Sequence, residues 1–252
     1  HGDFISACEG ESWESYRFVC GPFARQIALI DGPNGRPYAV DIFRGGGGSV
    51  HDWALHGEGP EFAGTGVDRE AGDEVPGKDY ADEEVDKVRT GAINGPALAR
   101  WSWEDGVTLD AHLADQGESH LFTTRSPGRR LRDQVGRKIS SVFVRREGDD
   151  IRSQFIAAFD PHAGESQVES VEIVEVSPEA HWALVFKVEL AGGFTDDVLA
   201  SYIDVAAQGE EFVTGDLTIP WQSRFGVVRV KAGGIGRQEW VDAPMEGLAH
   251  DI

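Results

Sequence analysis

The stretch "VDIFRGGGGSVHDWALHGEG", residues 40–59, places two short apolar segments on either side of four consecutive glycines. Its apolar and polar residues alternate, which is the pattern of half-buried β-strands. Glycines at this density let the backbone turn tightly and approach a ligand closely. The stretch therefore predicts a β-hairpin with a glycine tip, in which Arg44 precedes the glycines and His51, Asp52 and Trp53 follow them.

The same alternation recurs along most of the chain, and turn-forming sequences separate the segments. No segment carries a long helical stripe. Many short strands at regular spacing predict an all-β fold, an antiparallel multi-stranded β-sandwich, in which residues 1–252 form a single domain. The predicted strands are 25–31, 38–43, 51–56, 97–103, 107–114, 138–146, 153–159, 168–176, 181–190, 197–205, 215–220 and 225–231.

Residues 57–87 interrupt this pattern with a stretch rich in glycine and acidic residues. We expect a solvated excursion without strands, because a long stretch of this composition has little to bury. A carboxylate cluster inside it offers the hard oxygen ligands that calcium prefers, but its spacing does not match an EF-hand loop, and no metal site is predicted. The cluster consists of Asp79, Asp82, Glu83, Glu84 and Asp86.

The overall charge restricts the kinds of partner. The chain has 44 acidic against 23 basic residues, and its formal net charge is −21. Phosphate contacts require clustered Lys and Arg, so neither nucleic acid nor a membrane surface is expected as a partner. Cys8 and Cys20 lack the spacing of a zinc site, and both one disulfide and two unlinked thiols are compatible with the sequence.

His51 is the candidate catalytic residue, because a histidine beside a carboxylate suits proton transfer. Strand alternation places His51 and Trp53 on one face and Asp52 and His56 on the other. We expect His51 to project toward solvent, with Asp52 or Arg44 ordering its surroundings, and His56 to stabilise the fold instead. The alternative is that His51 and Asp52 only close a hydrogen-bond network at a sheet edge.

One basic cluster, "RSPGRRLRD" at 125–133, stands out in this acidic chain. Its guanidinium groups could hold a carboxylate or a sulfate, or they could pair with the acidic excursion. Arg125, Arg129 and Arg130 of this cluster are candidate substrate-binding residues, together with Arg44, Asp52 and Trp53 of the predicted hairpin.

The segment "YAVDIFRGGGGSVHDWALHG" (38–57) resembles the heparinase II/III family of polysaccharide lyases, in which it reads "YxVDxFRVxGGxxHDYxFHG". Weaker similarity flanks it, in "FARQIALID", "VTLDAHLADQGESHLFTTRSPG" and "RREGDDIRSQFIAAFDPHAG". The matching residues are Tyr38, Val40, Asp41, Phe43, Arg44, two glycines, His51, Asp52, His56 and Gly57, with Trp53 at an aromatic position.

In that family an α/α toroid precedes a β-sandwich, and the substrate lies between them. The resemblance implies that this chain is the C-terminal β-sandwich part of a larger lyase, lacks the toroid, and is inactive alone. It also implies β-elimination on uronate-containing glycans, an acidic polysaccharide or oligosaccharide as partner, and a periplasmic or secreted location. The cofactor stays unknown, because the family's divalent-metal motif lies upstream of the matched segment.

Two other functions compete with this interpretation. The chain could be a non-catalytic carbohydrate-binding or structural module, and its negative charge argues against strong independent binding of uronates. It could also be an independent enzyme that uses His51 and Asp52.

Overall fold

The computed structural model describes residues 2–12, 21, 23–59, 61–65, 70–71, 86–93, 95–114, 117–127, 138–176, 183–202, 211–214, 217–231 and 234–241. These ranges contain strands and no helix, which confirms the all-β prediction. It follows that nothing within them could cross a membrane as a long apolar helix.

The strands are numbered in chain order. They are β1 (Ile5–Glu11), β2 (Phe23–Asp31), β3 (Pro37–Gly46), β4 (Val50–Gly57), β5 (Glu61–Thr65), β6 (Glu70–Ala71), β7 (Asp86–Ala92), β8 (Ala97–Ser102), β9 (Val107–Leu113), β10 (Ser119–Pro127), β11 (Lys138–Glu147), β12 (Arg152–Ala163), β13 (Val168–Val176), β14 (Leu184–Leu190), β15 (Phe194–Ala200), β16 (Glu211–Thr214), β17 (Leu217–Pro220), β18 (Phe225–Lys231) and β19 (Gly234–Val241).

Antiparallel pairing assembles these strands into three larger sheets and a two-stranded ribbon. The central sheet has seven strands in the order β1-β2-β3-β12-β9-β8-β5. The first outer sheet has the order β4-β11-β10-β7-β6, and the second outer sheet has the order β13-β14-β15-β18-β19. The ribbon consists of β16 and β17.

The central sheet is covered on both faces, so the sandwich has three layers. One face contributes Trp101 and Phe155 to a core shared with Trp53 of the first outer sheet. The opposite face contributes Val40 and Ile156 to a core shared with the second outer sheet. Strands that are buried on both faces read as nearly continuous apolar runs, and alternating residues of β3 and β12 indeed enter different cores.

The matched segment does not form a hairpin, because β3 and β4 belong to different sheets. β3 pairs with β2 and β12 in the central sheet, and β4 pairs with β11 at the edge of the first outer sheet. The predicted hairpin is therefore wrong. Gly47 and Gly48 have φ values of 82° and 81°, a left-handed conformation that glycine adopts without the steric penalty of a side chain. The glycines turn the chain from one sheet into the next.

A second connection, from β11 to β12, crosses between the same two sheets beside the first. The Ile151 amide donates to the Gly48 carbonyl at 3.0 Å, and the Gly47 amide donates to the Ile151 carbonyl at 2.9 Å. The antiparallel pair β3–β12 thus continues around a bend as the pair β4–β11, a recognised way for strands to switch sheets in a sandwich. We call residues 45–49 and 148–151 the glycine corner.

The prediction of a strand-free excursion over 57–87 is wrong where the structure describes it. β5 adds an edge strand to the central sheet, β6 pairs with β7, and β7 begins at Asp86. Register explains the error for β5: Phe62 lies opposite Trp101 and packs against the buried core, while Ala63 and Thr65 are exposed. Such a short, half-buried strand at an edge carries little alternation. The other members of the carboxylate cluster, at 79 and 82–84, lie outside the described residues.

Candidate functional site

His51 lies at the glycine corner, half-buried, with both ring nitrogens in hydrogen-bond contact. Nε2 is 2.6 Å from the Gly47 carbonyl oxygen, and Nδ1 is 2.9 Å from Ser153 Oγ. A carbonyl only accepts hydrogen bonds, so Nε2 carries the proton and Nδ1 of the neutral ring accepts from the Ser153 hydroxyl. The lone pair that a general base needs is therefore engaged, and Ser153 itself is fully buried.

The prediction that Asp52 orders the surroundings of His51 is wrong. Asp52 points to the opposite face of β4 and receives two hydrogen bonds from Arg145, from Nε and Nη2, both at 2.8 Å. Asp52 is exposed there, and within the described ranges the hydrogen-bond contacts of His51 are to Ser153 and the Gly47 carbonyl, not to a carboxylate. A catalytic role of His51 stays a prediction, but it would have to begin by breaking the contact with Ser153.

Arg44 is fully buried, which is incompatible with direct contact to a substrate. Its Nη1 donates to Gln26 Oε1 at 2.7 Å and its Nε donates to Gln154 Oε1 at 3.0 Å. Burial lowers the pKa of Arg44 to about 10, against the opposing attraction of Glu9, so the guanidinium stays charged at neutral pH. Its assignment as a substrate-binding residue is corrected to that of a buried cation between the central and second outer sheets.

Trp53 also faces the interior. Only 5% of its surface is exposed, and its indole Nε1 donates to Asp41 Oδ2 at 3.3 Å. Asp41 in turn accepts two hydrogen bonds from Arg25, at 2.8 and 2.6 Å, and these bonds raise the pKa of Arg25 despite the cost of its partial burial. Trp53 therefore joins the two sheets and does not offer a sugar-stacking surface.

His56 is less buried than expected, and the substrate-binding role of the basic cluster stays a prediction. His56 is on the exposed face of β4, where Nδ1 lies 2.8 Å from Ser141 Oγ and partial burial lowers its pKa. His51 is thus the more buried of the two histidines. Arg125 is half-buried and its Nη2 donates to the Lys138 carbonyl at 3.1 Å. Arg129 and Arg130 lie outside the described residues, as does Cys20, while Cys8 is an exposed thiol on β1.

A polar cluster that the sequence analysis missed lies in the central sheet, on the paired strands β9 and β12. Asp110 on β9 and Asp160 on β12 are fully buried and stand directly opposite each other in the register. Arg100 donates to both oxygens of Asp110 at 2.6 Å, and His162 Nε2 is 3.2 Å from Asp110 Oδ2. Burial alone would raise the pKa of Asp110, but these partners outweigh it and hold the pKa below its usual value.

Asp160 is stabilised by different donors from those of Asp110. Its Oδ2 accepts hydrogen bonds from the Ser166 hydroxyl at 2.7 Å and from the Gln167 backbone N–H at 2.6 Å. Beside this acid pair, His112 Nε2 and His162 Nδ1 are buried and have no hydrogen-bond partner among the residues that the structure describes. We call these four residues, Asp110, His112, Asp160 and His162, the buried acid pair and its histidines.

A signal for this cluster was present in the sequence. "DAH" at 110–112 and "DPH" at 160–162 each place a carboxylate and an imidazole on one face of a strand, because residues two apart share a face. The cluster does not fit a metal centre: in the described part of the chain, no three His, Cys, Asp or Glu side chains converge as a set of metal ligands.

Comparison with known proteins gives a structural likeness only. No protein-family model and no curated protein matches the chain. Heparan sulfate lyase HepC from Pedobacter heparinus is similar in structure, with a TM-score of 0.48 and 12% identity, over 79% of this chain and 26% of that chain. A mutant of the same lyase matches equally, over 80% of this chain. The chain spans about a quarter of the length of these structures, and at this identity the likeness says nothing of substrate or chemistry.

Proposed function

We propose that this chain is the β-sandwich portion of a polysaccharide lyase of the heparinase II/III type, which acts on uronate-containing glycans by β-elimination. The sandwich would form one wall of a cleft whose other wall is an α/α toroid in the same larger protein. An acidic polysaccharide or oligosaccharide is then the partner, in the periplasm or outside the cell.

One observation carries this proposal: residues that match the family pattern make structural contacts in β3, in β4 and at the glycine corner between them. Asp41 joins Arg25 to Trp53, Arg44 binds two glutamines, and His51 bonds to the Gly47 carbonyl. A Cβ at Gly57 would collide with the Trp101 indole. A shared pattern of buried, structural residues supports a shared architecture more strongly than a shared substrate contact would.

We also propose that the chain alone does not catalyse elimination. The reaction needs a base, an acid and a group that neutralises the uronate carboxylate, all converging on one sugar. Around His51, the residues that the structure describes supply a single imidazole whose two nitrogens are already engaged. The engaged imidazole equally favours a second function, a non-catalytic structural or carbohydrate-binding module.

The test uses two proteins, the 252-residue chain and the complete product of its gene. Each is incubated with heparan sulfate, alginate and hyaluronan, and the absorbance of the unsaturated uronate product is followed, with a commercial lyase as the positive control. The proposal expects turnover by the complete product on at least one glycan and none by the isolated chain. Turnover by the isolated chain would refute the need for a second wall. A complete product that is inactive on all uronate glycans would favour the module.

A further inference from the structure

The central sheet is wider than the first outer sheet, with seven strands against five. Each strand of the first outer sheet is the chain neighbour of one central strand: β4 follows β3, β11 precedes β12, β10 follows β9, β7 precedes β8 and β6 follows β5. The orders β4-β11-β10-β7-β6 and β3-β12-β9-β8-β5 therefore correspond strand for strand. β2 and β1 extend the central sheet beyond β3, where the first outer sheet ends at β4.

The two hydrophobic cores agree with this offset. Within the described residues, the core between the central and first outer sheets takes side chains from the central strands β3, β12, β9, β8 and β5, but none from β1 or β2. On the other face of the central sheet, Ile5 of β1 and Ile30 of β2 lie in the core beneath the second outer sheet. β1 and β2 are thus covered on one face only.

The uncovered face of β1 and β2, which we call the overhang, is apolar. Cys8 stands opposite Ile27 and Ser6 opposite Leu29 in the register, so these side chains share the face. Ile27 is 40% exposed and Leu29 is 49% exposed, Cys8 is exposed as well, and a Cβ at Gly10 would meet open space. Adjacent apolar side chains at this exposure are typical of an interaction surface.

The overhang is also poor in charge, although the chain has a net charge of −21. Strand alternation places only two charged side chains of β1 and β2 on it, those of Arg25 and Asp31. Arg25 is held in an ion pair with Asp41 at 2.6 Å, and Asp31 lies at the end of β2. Because the negative field elsewhere repels a second copy of the chain, a charge-poor face is the place where such a copy can dock.

Two strand edges border the overhang. β1 is an end strand of the central sheet and β4 is an end strand of the first outer sheet, in the part of the chain that the structure describes. Main-chain bonds to β2 at Phe4 and Ser12 show that the odd-numbered residues of β1 direct their main-chain groups outward. The Ser49 carbonyl accepts from the Gly148 amide, so the even-numbered residues of β4 direct theirs outward.

A second copy of the chain fits this step between the sheets. A two-fold rotation about an axis parallel to the strands places β1 and β2 of the second copy in the two strand positions beyond β4. β1 runs in the same direction as β3, because two antiparallel pairings separate them. β4 runs back over β3, as the contact of Trp53 with Asp41 shows. Because the rotation preserves direction along its axis, β1 of the second copy lies antiparallel to β4, the geometry of a sheet ladder.

The area of this contact is close to that of a stable dimer. The overhang is two strands wide, and β1 has 7 residues. With strand spacings of about 4.8 Å, a rise of about 3.3 Å per residue and layers about 10 Å thick, the face and the two edges together bury roughly 700 Å² per copy. Standard interfaces bury about 800 Å² per partner.

We propose that two copies of this chain associate through the overhang, with β1 of each copy beside β4 of the other. The central sheet of one copy then continues the first outer sheet of the other. The same surface serves both copies, so the contact closes at two chains. This dimer needs no glycan and does not rest on the proposed function.

Sedimentation equilibrium of the 252-residue chain tests the association. We expect a dissociation constant on the order of 10 µM, the weak end for interfaces of this size. The dimer should tighten in about 1 M NaCl, where the Debye length falls to about 3 Å and the repulsion between the two acidic chains is screened. An interface held by ion pairs would weaken instead.

Leu29→Lys should weaken the dimer at least tenfold, because each copy would bury an unpaired ammonium group. Val174→Lys is the matched control: Val174 is 44% exposed on β13, an end strand of the second outer sheet, and its substitution should leave the dimer unchanged. Thermal denaturation of both variants separates lost association from lost folding.

Thiol cross-linking of the Cys20→Ser variant, in which Cys8 is the one remaining cysteine, tests the arrangement of the two copies. The layer and strand spacings place the two Cys8 Cα atoms about 11 Å apart. A bismaleimide with a spacer of similar length should therefore link the copies, whereas oxidised glutathione should not join them by a disulfide, which needs Cα atoms within about 7 Å.

Three results would overturn the proposal. The first is a chain that stays monomeric at millimolar concentration in high salt. The second is a Leu29→Lys variant that folds and dimerises like the unchanged chain. The third is a Cys8 disulfide formed by oxidised glutathione, which would place the two β1 strands edge to edge instead of β1 beside β4. Because sedimentation is measured without glycan, these results are independent of any lyase activity.

Discussion

The glycine corner and the buried acid pair with its histidines are both polar sites in a protein interior, but they satisfy their hydrogen bonds differently. At the corner, both nitrogens of His51 are bonded, one to a backbone carbonyl and one to a buried hydroxyl. In the acid pair, His112 and His162 each have one buried nitrogen with no hydrogen-bond partner in the described part of the chain. The comparison separates a histidine that holds two sheets together from histidines that carry unused hydrogen-bonding capacity.

The largest effect should come from removing the Trp53 indole, which joins β4 of the first outer sheet to Asp41 of the central sheet. Trp53→Ala should lower the free energy of unfolding by about 3–5 kcal/mol, the usual cost of truncating a buried aromatic residue. It also deprives Asp41 of a donor. Chemical denaturation measures the change. His56→Ala, on the exposed face of the same strand, is the matched control and should cost less than about 1 kcal/mol. Equal costs for the two would contradict the sheet-to-sheet role of Trp53.

A smaller effect is expected from the backbone of the corner. Gly48 has φ of 81°, and a Cβ there would meet open space, so Gly48→Ala should cost about 1–2 kcal/mol from backbone conformation alone. Gly45 does not have a positive φ, and a Cβ there would lie at an ordinary contact distance of 3.5 Å from His51 Nδ1. Gly45→Ala should therefore leave the stability almost unchanged. The melting temperatures of the two variants test this. If Gly48→Ala left the melting temperature unchanged, residues other than glycine could adopt this bend without strain.

The smallest effect should appear as a pH dependence in the acid pair. Burial lowers the pKa of His112, so the unfolded chain takes up the proton first as the pH falls. His112 therefore reduces stability as the pH drops from about 6.5, the ordinary histidine pKa, toward its own lower value. His112→Gln should flatten the decline in melting temperature between about pH 7.5 and pH 5.

The control for this measurement is His56→Gln. The pKa of His56 is also lowered by burial, but the residue is exposed enough that the flattening should be weaker. A decline that is unchanged in His112→Gln would show that the buried nitrogen of His112 is solvated in the folded protein.

The strands were largely predictable from the sequence, whereas their partners were not. Each of the twelve predicted strands overlaps an observed one, because alternation reports which face of a strand is buried. Alternation does not say which strand lies next, and that is why β3 and β4 were expected to pair. β19 was missed because four consecutive residues in it, 235–238, are exposed and give no periodic pattern.

The candidate site was predictable only as a set of residue types. His51 could be singled out, but its partner Ser153 is 102 positions away, so the sequence could not show that the imidazole was already engaged. The Asp-x-His spacing at 110–112 and 160–162 was readable on each strand alone. Its significance depends on β9 lying beside β12, which is a property of the sheet order.

The central claim is that His51 belongs to the structure of the glycine corner, and a double-mutant cycle tests it most directly. His51→Ala, Ser153→Ala and the double variant are made in the 252-residue chain, and their free energies of unfolding are measured by chemical denaturation. The account predicts a coupling energy of about 1 kcal/mol between the two positions, the net value of one buried hydrogen bond. Additive single-variant costs, with a coupling energy near zero, would contradict it and leave His51 free for proton transfer.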